Sequence, residues 1–261
     1  MKEMFNELIQ YRHLLFMLTW RDIRIRYKQS VMGFLWAIFM PMMIVGAGIL
    51  VKKAISVLSG NPMELSQLAS VSVKAIPWAF FVGSIRFAAN SLTGNMNLVS
   101  KIYFPREVFP ISATLANLFD FVVASSVLVV FLIFARTGVT LYLLWIPFLL
   151  LLLFLLTVGL GMFLSCANLF FRDVKYIVEV ILTFGIFFTP VFYEAKMFGK
   201  WETILLLNPI GAILEAINDV VVFHQPPNLY WVGYSAIWAI GGLLLAWTIF
   251  HQAEYTFAEN I

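Results

Sequence analysis

Apolar residues in this chain neither alternate nor keep to one helical stripe; they run on for whole helix lengths. Between Thr137 and Phe171 there are 35 residues without a Lys, Arg, Asp or Glu. A helix needs roughly 20 apolar residues to cross the hydrocarbon core of a bilayer. Runs of that kind recur along nearly the whole sequence and predict spans at about Val31–Val51, Ala75–Leu92, Val108–Phe134, Leu143–Phe170, Ile177–Phe192 and Tyr230–Phe250. The expected fold is therefore an all-α integral membrane protein with six transmembrane helices.

Two segments break the pattern. Residues 1–30 carry Phe5, Leu8, Ile9, Trp20, Ile23 and Tyr27 at helical spacing, while Arg21, Arg24 and Lys28 share another face. This predicts an amphipathic helix in the membrane interface, separate from the six-span domain of residues 31–261. It either anchors the chain or packs on a cytoplasmic partner. From Trp201 to His224 the chain is too long for a turn and too interrupted for a span. Asn208-Pro209 breaks it, since proline removes a backbone donor and disfavours helix in the residue before it. Beyond the break, Ile210, Ile213, Leu214 and Ile217 form an apolar stripe, with Glu215 and Asp219 four apart on another face. Two short re-entrant half-helices before the last span fit this pattern, and a surface helix is the alternative.

Composition sharpens the picture. A chain that is 62% hydrophobic and only 12% charged has too much apolar surface to hide in water. Its net charge of +3 reflects orientation in the membrane rather than nucleic-acid binding. On the predicted topology, ten Lys and Arg residues fall on the side of the termini and six on the other, with Arg86 inside a span. Both termini are thus expected in the cytoplasm. The first residues mix Glu and Arg through their apolar positions and do not form a signal peptide. The single cysteine, Cys166, lies in an apolar span and reads as packing.

Catalytic and cofactor motifs are missing. No G-x-x-x-x-G-K-[ST] loop is present to hold ATP phosphates, and no G-x-S-x-G elbow. His13, His224 and His251 are far apart in sequence and lack a metal-site pattern. Glu215 and Asp219 form the one carboxylate pair that an intramembrane transferase would want. Arg86 and Asp120 sit inside predicted spans, where charge is costly. They are expected to pair, either to fix packing or to contact an anionic substrate. Phe184, Phe187, Phe188 and Phe192 are expected on one face of the fifth span, as helix packing or as a wall on which sugar rings stack.

Several motifs carry a resemblance. The run Trp20-Arg-Asp-Ile-Arg-Ile-Arg-Tyr-Lys-Gln-Ser-Val-Met-Gly33-Phe-Leu-Trp36, followed by Pro41, is similar to the segment leading into the first span of ABC-type polysaccharide exporter permeases. Asn97-Leu-Val-Ser-Lys101-Ile-Tyr-Phe-Pro105-Arg-Glu-Val-Phe-Pro110 resembles that family's cytoplasmic loop between spans two and three. Asn168-Leu-Phe-Phe-Arg172-Asp173-Val-Lys, Thr189-Pro190-Val-Phe-Tyr193 and Asn208-Pro209 follow in the family's order.

The resemblance implies a homodimer that binds two copies of a separate ABC ATPase, which would hold ATP and Mg, and that exports a lipid-linked glycan. It places the ATPase-coupling loop at Lys101, Phe104, Pro105, Arg106 and Glu107. Arg24, Arg26 and Lys28 would form a cytoplasmic gate near a pyrophosphate, and Pro209, Glu215 and Asp219 an outer gate. Independently, two prolines and three charges within Lys101–Pro110 predict a rigid, solvent-facing projection. No catalytic residue, metal or cofactor is expected in this chain. A drug or lipid exporter and a membrane-embedded glycan-modifying enzyme are the alternatives.

Overall fold

The computed structural model describes residues 7–28, 33, 35–59, 65–101, 104–134 and 138–254. Among these the chain is helical, with no strand. In order, the α-helices are α1 (Arg12–Lys28), α2 (Leu35–Ser59), α3 (Leu65–Ala89), α4 (Met96–Lys101), α5 (Val108–Phe134), α6 (Ile146–Phe170), α7 (Val174–Phe188), α8 (Glu202–Leu206), α9 (Pro209–Val221) and α10 (Leu229–Glu254). Short 3-10 turns precede α4, α6 and α8.

Among the described residues, five helices are long and apolar enough to cross a membrane: Leu35–Ala54, Ser66–Ala89, Val108–Phe134, Leu141–Phe170 and Leu229–Glu254. The third predicted span has the bounds of α5, and the fourth ends where α6 ends. The second starts ten residues earlier than predicted, because Lys74 lies within α3 rather than before it. The fifth is displaced: α7 starts three residues before the predicted span and ends four before its end. At 15 residues α7 extends about 22 Å, against the ~30 Å of a hydrocarbon core. It stops because Thr189, which precedes Pro190, takes up extended backbone at φ −111°, ψ 135°.

Helices α3 and α6 form the centre of the bundle. α6 lies along α10 and also touches α3, α5 and α9, and α3 packs on α2, α5, α6 and α9. Membrane helices gain little from apolar burial against each other, so close approach through small residues takes its place. Gly159 and Gly161 supply it here. A Cβ at Gly159 would stand 2.9 Å from Leu243 Cα on α10, and one at Gly161 2.8 Å from Ala88 Cβ on α3.

Apolar side chains gather in two main clusters. One joins α3, α6 and α9 through Trp78, Phe81, Leu152, Leu156, Ile213 and Ile217. The other joins α1, the 96–110 region, α6 and α10 through Leu18, Val99, Phe104, Phe109, Met162 and Phe250. The second cluster shows that α1 and the last turns of α10 share one end of the bundle, here called the terminal end. The half-helices α8 and α9 mark the other.

The covered face of α1 and the turn before it matches the predicted one only in part. Leu18 is buried, and Leu8, Leu14 and Leu15 pack beside it, while Ile9 and Trp20 are exposed. Phe5 lies outside the described residues. Helix periodicity alone cannot choose between two apolar stripes when neither is continuous, and contact with the bundle chooses the leucine one.

Gly159→Ala should destabilise the chain by about 1–3 kcal/mol, because backbone rather than a flexible side chain meets the new methyl. Gly46→Ala, with nothing within 4 Å of its Cβ position, should be close to neutral. Thermal unfolding of the two variants in detergent checks the contrast.

Candidate functional site

Two polar constellations stand at opposite ends of the bundle. At the half-helix end, Asn208 caps α9: its Oδ1 accepts from the Ile210 N–H at 3.2 Å, and Pro209 occupies the first helical turn. The Asn208 side-chain amide donates to Thr189 Oγ1 at 3.0 Å. A Cβ at Gly211 would stand 2.9 Å from Pro190 Cδ. The Thr189-Pro190 and Asn208-Pro209 breaks, 19 residues apart, therefore meet in space. Ser235 and Tyr234 of α10 donate to the carbonyls of Pro209 and Leu207 at 3.2 and 2.8 Å. The carbonyls on either side of the Asn208-Pro209 junction thus have donors from α10.

Over this scaffold runs a ladder of charges. Lys74 of α3 is fully buried, and its Nζ donates to Tyr193 O at 2.5 Å and to Glu215 Oε1 at 3.1 Å. The Ala195 N–H donates to the same carboxylate oxygen at 3.1 Å. Lys52 of α2 pairs with Glu194 at 3.6 Å, and Lys196 with Asp219 at 3.3 Å. Three lysines from three elements thus hold the 194–196 turn and α9 against α2 and α3. Glu215 and Asp219 do share a face of α9, and each has its own lysine. Burial pushes both carboxyls above the usual range, with Lys74 opposing at Glu215 and Lys196 at Asp219. A cavity of about 210 Å³ opens beside them.

At the terminal end the predicted Arg86–Asp120 pair does not form. Arg86 points to α7 and makes a two-bond pair with Glu179, at 2.7 and 2.9 Å. Asp120 points to α1, accepting from Arg26 Nη1 at 2.5 Å and from the Tyr27 hydroxyl. Arg26 also donates to Asn117 Oδ1 at 3.1 Å and lies 4.1 Å from the Phe87 ring centroid. Each intramembrane charge has a partner, but one supplied by a third helix that pairing within the two spans leaves out. Burial, and then the Asp120 carboxylate, push the Tyr27 phenol up. Arg24 and Lys28 remain exposed.

Residues 104–107 of the predicted coupling loop do not face solvent as expected. Phe104 is buried with its ring 5.4 Å from that of Phe109, Pro105 is half-buried, and Glu107 is only 3% exposed. Arg106 donates through Nη1 to Glu254 O at 2.6 Å and through its backbone N–H to Glu254 Oε1 at 3.3 Å. His251 Nδ1 stands 3.5 Å from Glu107 Oε1 and 3.7 Å from Glu254 Oε2. The loop is clamped to the last turn of α10 by residues that sequence proximity does not connect. The Lys101 side chain lies outside the described residues.

The four phenylalanines also divide. Phe184, Phe187 and Phe188 are exposed along α7, whereas Phe192 is buried against Gly48 of α2. Phe192 comes after the Thr189-Pro190 break, so the helical register that would align it with the others is lost. Lys52, Lys74, Glu179, Glu194, His251 and Glu254 were not among the candidate residues. Lys74 alone gave a signal in the sequence, as a lone cation just ahead of a long apolar run.

The long apolar helices, with proline breaks and lysine–carboxylate ties satisfied inside the bundle, define a multi-pass membrane protein. The chain matches the ABC-2 type transporter membrane family over residues 13–222 and belongs to it. It is similar along its whole length to the O-antigen export system permease protein RfbA of Myxococcus xanthus, with 28% identity over 259 residues and 98% of each chain covered. It is also similar to an O-antigen export system permease protein RfbA of Klebsiella pneumoniae, with 28% identity over 253 residues and 94% of each chain covered.

Lys74→Met should cost about 3–5 kcal/mol, because it leaves the Glu215 carboxylate buried without its cation. Lys74→Met combined with Glu215→Leu should recover most of that loss. Detergent-solubilised unfolding midpoints of the single and double variants check the ordering.

Proposed function

We propose that this chain is the transmembrane permease subunit of an ATP-driven exporter that moves a lipid-linked polysaccharide, most nearly of the O-antigen class, to the outer side of a bacterial inner membrane. The observation that carries this reading is end-to-end similarity, without large gaps in coverage, to permeases named for O-antigen export. Two copies of the chain form the path and two copies of an ABC ATPase bind the terminal end, holding the ATP and Mg that this chain has no loop to bind.

On this reading the terminal end is cytoplasmic. Helix α1 lies in the interface, and α7 with the turn after it makes a sixth crossing. An even count agrees with α1 and the last turns of α10 sharing one cluster. The clamp of Arg106 and Glu107 onto His251 and Glu254 gives the coupling loop its function: a push on the loop moves α10, and through it α6. Arg106 and Glu107 act as positioning residues, and the ATPase contact falls to Lys101 and its neighbours. Exposed Arg24 and Lys28 are available to an anionic pyrophosphate, while Arg26 holds α1 on α5. Phe184, Phe187 and Phe188 line the shared path. Proline-capped α9 and its lysine ties close the outer gate.

Mild-detergent affinity purification of the chain from its native membrane should bring down a phosphate-loop ATPase in about equal amount. Arg106→Ala, which removes the clamp, should lower that recovery several-fold with the chain still in the membrane. Cells lacking the chain should accumulate lipid-linked glycan in the cytoplasmic leaflet. A chain recovered without an ATPase would overturn the reading, and accumulation of another lipid or drug in place of glycan would overturn its cargo.

A further inference from the structure

The cavity beside α9 has a lining that the charge ladder explains only in part. It lies between the 195–202 turn, α9 and the start of α10, and measures about 210 Å³. That is below the ~300 Å³ at which pockets for drug-sized ligands begin and leaves room for a single small ring. Polar groups come from Lys196, Glu202, Glu215, Asp219, Gln225 and Asn228, of which Glu215 and Asp219 already face Lys74 and Lys196, and Trp231 adds an indole. Ala195, Leu206 and Ala212 supply an apolar floor.

The chemistry narrows the ligand. Carboxylates outnumber lysines in the lining, so an anion such as phosphate is disfavoured. A metal ion fits no better. Among the described residues, the one group of three His, Cys, Asp or Glu whose ligand atoms lie within 4.8 Å of one another is Glu107, His251 and Glu254, at the other end of the bundle. Flat carboxylates and amides that accept and donate in pairs, set beside an indole and an apolar floor, match a neutral ring with vicinal hydroxyls. The backbone that carries these groups is held in place: the Gln225 backbone N–H donates to the Asp219 carbonyl at 3.0 Å, and Asn228 Oδ1 accepts from the Tyr230 N–H at 3.1 Å.

We infer that this cavity is a saccharide-binding subsite for one neutral pyranose ring, with Trp231 packing on the ring and Asp219, Gln225 and Asn228 reading its hydroxyls. The inference rests on the export reading for its position: it puts a sugar contact at the outer mouth, where a glycan leaves the path. Such a contact would hold an emerging chain against back-sliding and discriminate among terminal sugars.

The test is saturation-transfer NMR on the full chain in lipid nanodiscs, with D-galactose, L-rhamnose and N-acetylglucosamine as probes and glycerol as a polyol without a ring. Transfer is expected to the ring protons of at least one sugar and not to glycerol. Trp231→Ala should weaken it by about tenfold, exposed Gln225→Ala should weaken it as well, and Trp231→Phe should restore most of the binding lost in Trp231→Ala. No transfer to any of the three sugars, or equal transfer in wild type and Trp231→Ala, would overturn the site. The readout needs neither ATP nor a partner. Loss of the sugar signal with the ATPase still co-purifying would sink this subsite alone, and the reverse result would sink the export reading alone.

Discussion

A fully buried lysine in a membrane bundle has to be met by a carboxylate, and much of this structure follows from meeting it. Lys74 sits in the middle of α3, the most deeply buried of the long helices. Unpaired, its ammonium group would be costly at such a position. Glu215 supplies the counter-charge from α9, and Tyr193 O takes a second hydrogen bond from Nζ. Because those partners come from the region between α7 and α10, the pair ties the half-helices to the centre of the bundle. The Lys52–Glu194 and Lys196–Asp219 pairs secure the same region at its flanks.

Proline breaks make that arrangement possible. Two of them, at Pro190 and Pro209, interrupt helices where a continuous span would carry the chain past Lys74. Asn208 caps α9 and bonds Thr189, and α10 contributes donors from Ser235 and Tyr234. The half-helix end is thus a compact polar structure surrounded by apolar helices.

The terminal end uses a different device. There the 104–107 loop is held by the last turn of α10 through Arg106, Glu107, His251 and Glu254, and α1 is held on α5 by Arg26 and Tyr27. Since α10 runs along α6 with glycine-mediated contact at Gly159, displacement of the loop has a stiff route into the bundle. Polar contacts hold the segments at both ends, and close apolar packing connects the two ends to each other.

Helix content, the positions of most spans and the break at Asn208-Pro209 were legible in the sequence, since each depends on local properties: run length, apolar content and the missing N–H of proline. The motif order from Trp20 to Pro209 was equally legible and led to the right family. Pairings were not. Arg86 and Asp120 found Glu179 and Arg26, Phe192 left the face of Phe184, and Glu107 turned inward to His251. A pairing depends on how each helix is rotated about its axis and on which third helix comes alongside. Those are settled by packing of the whole bundle, where contacts as small as Gly159 on Leu243 decide which faces meet.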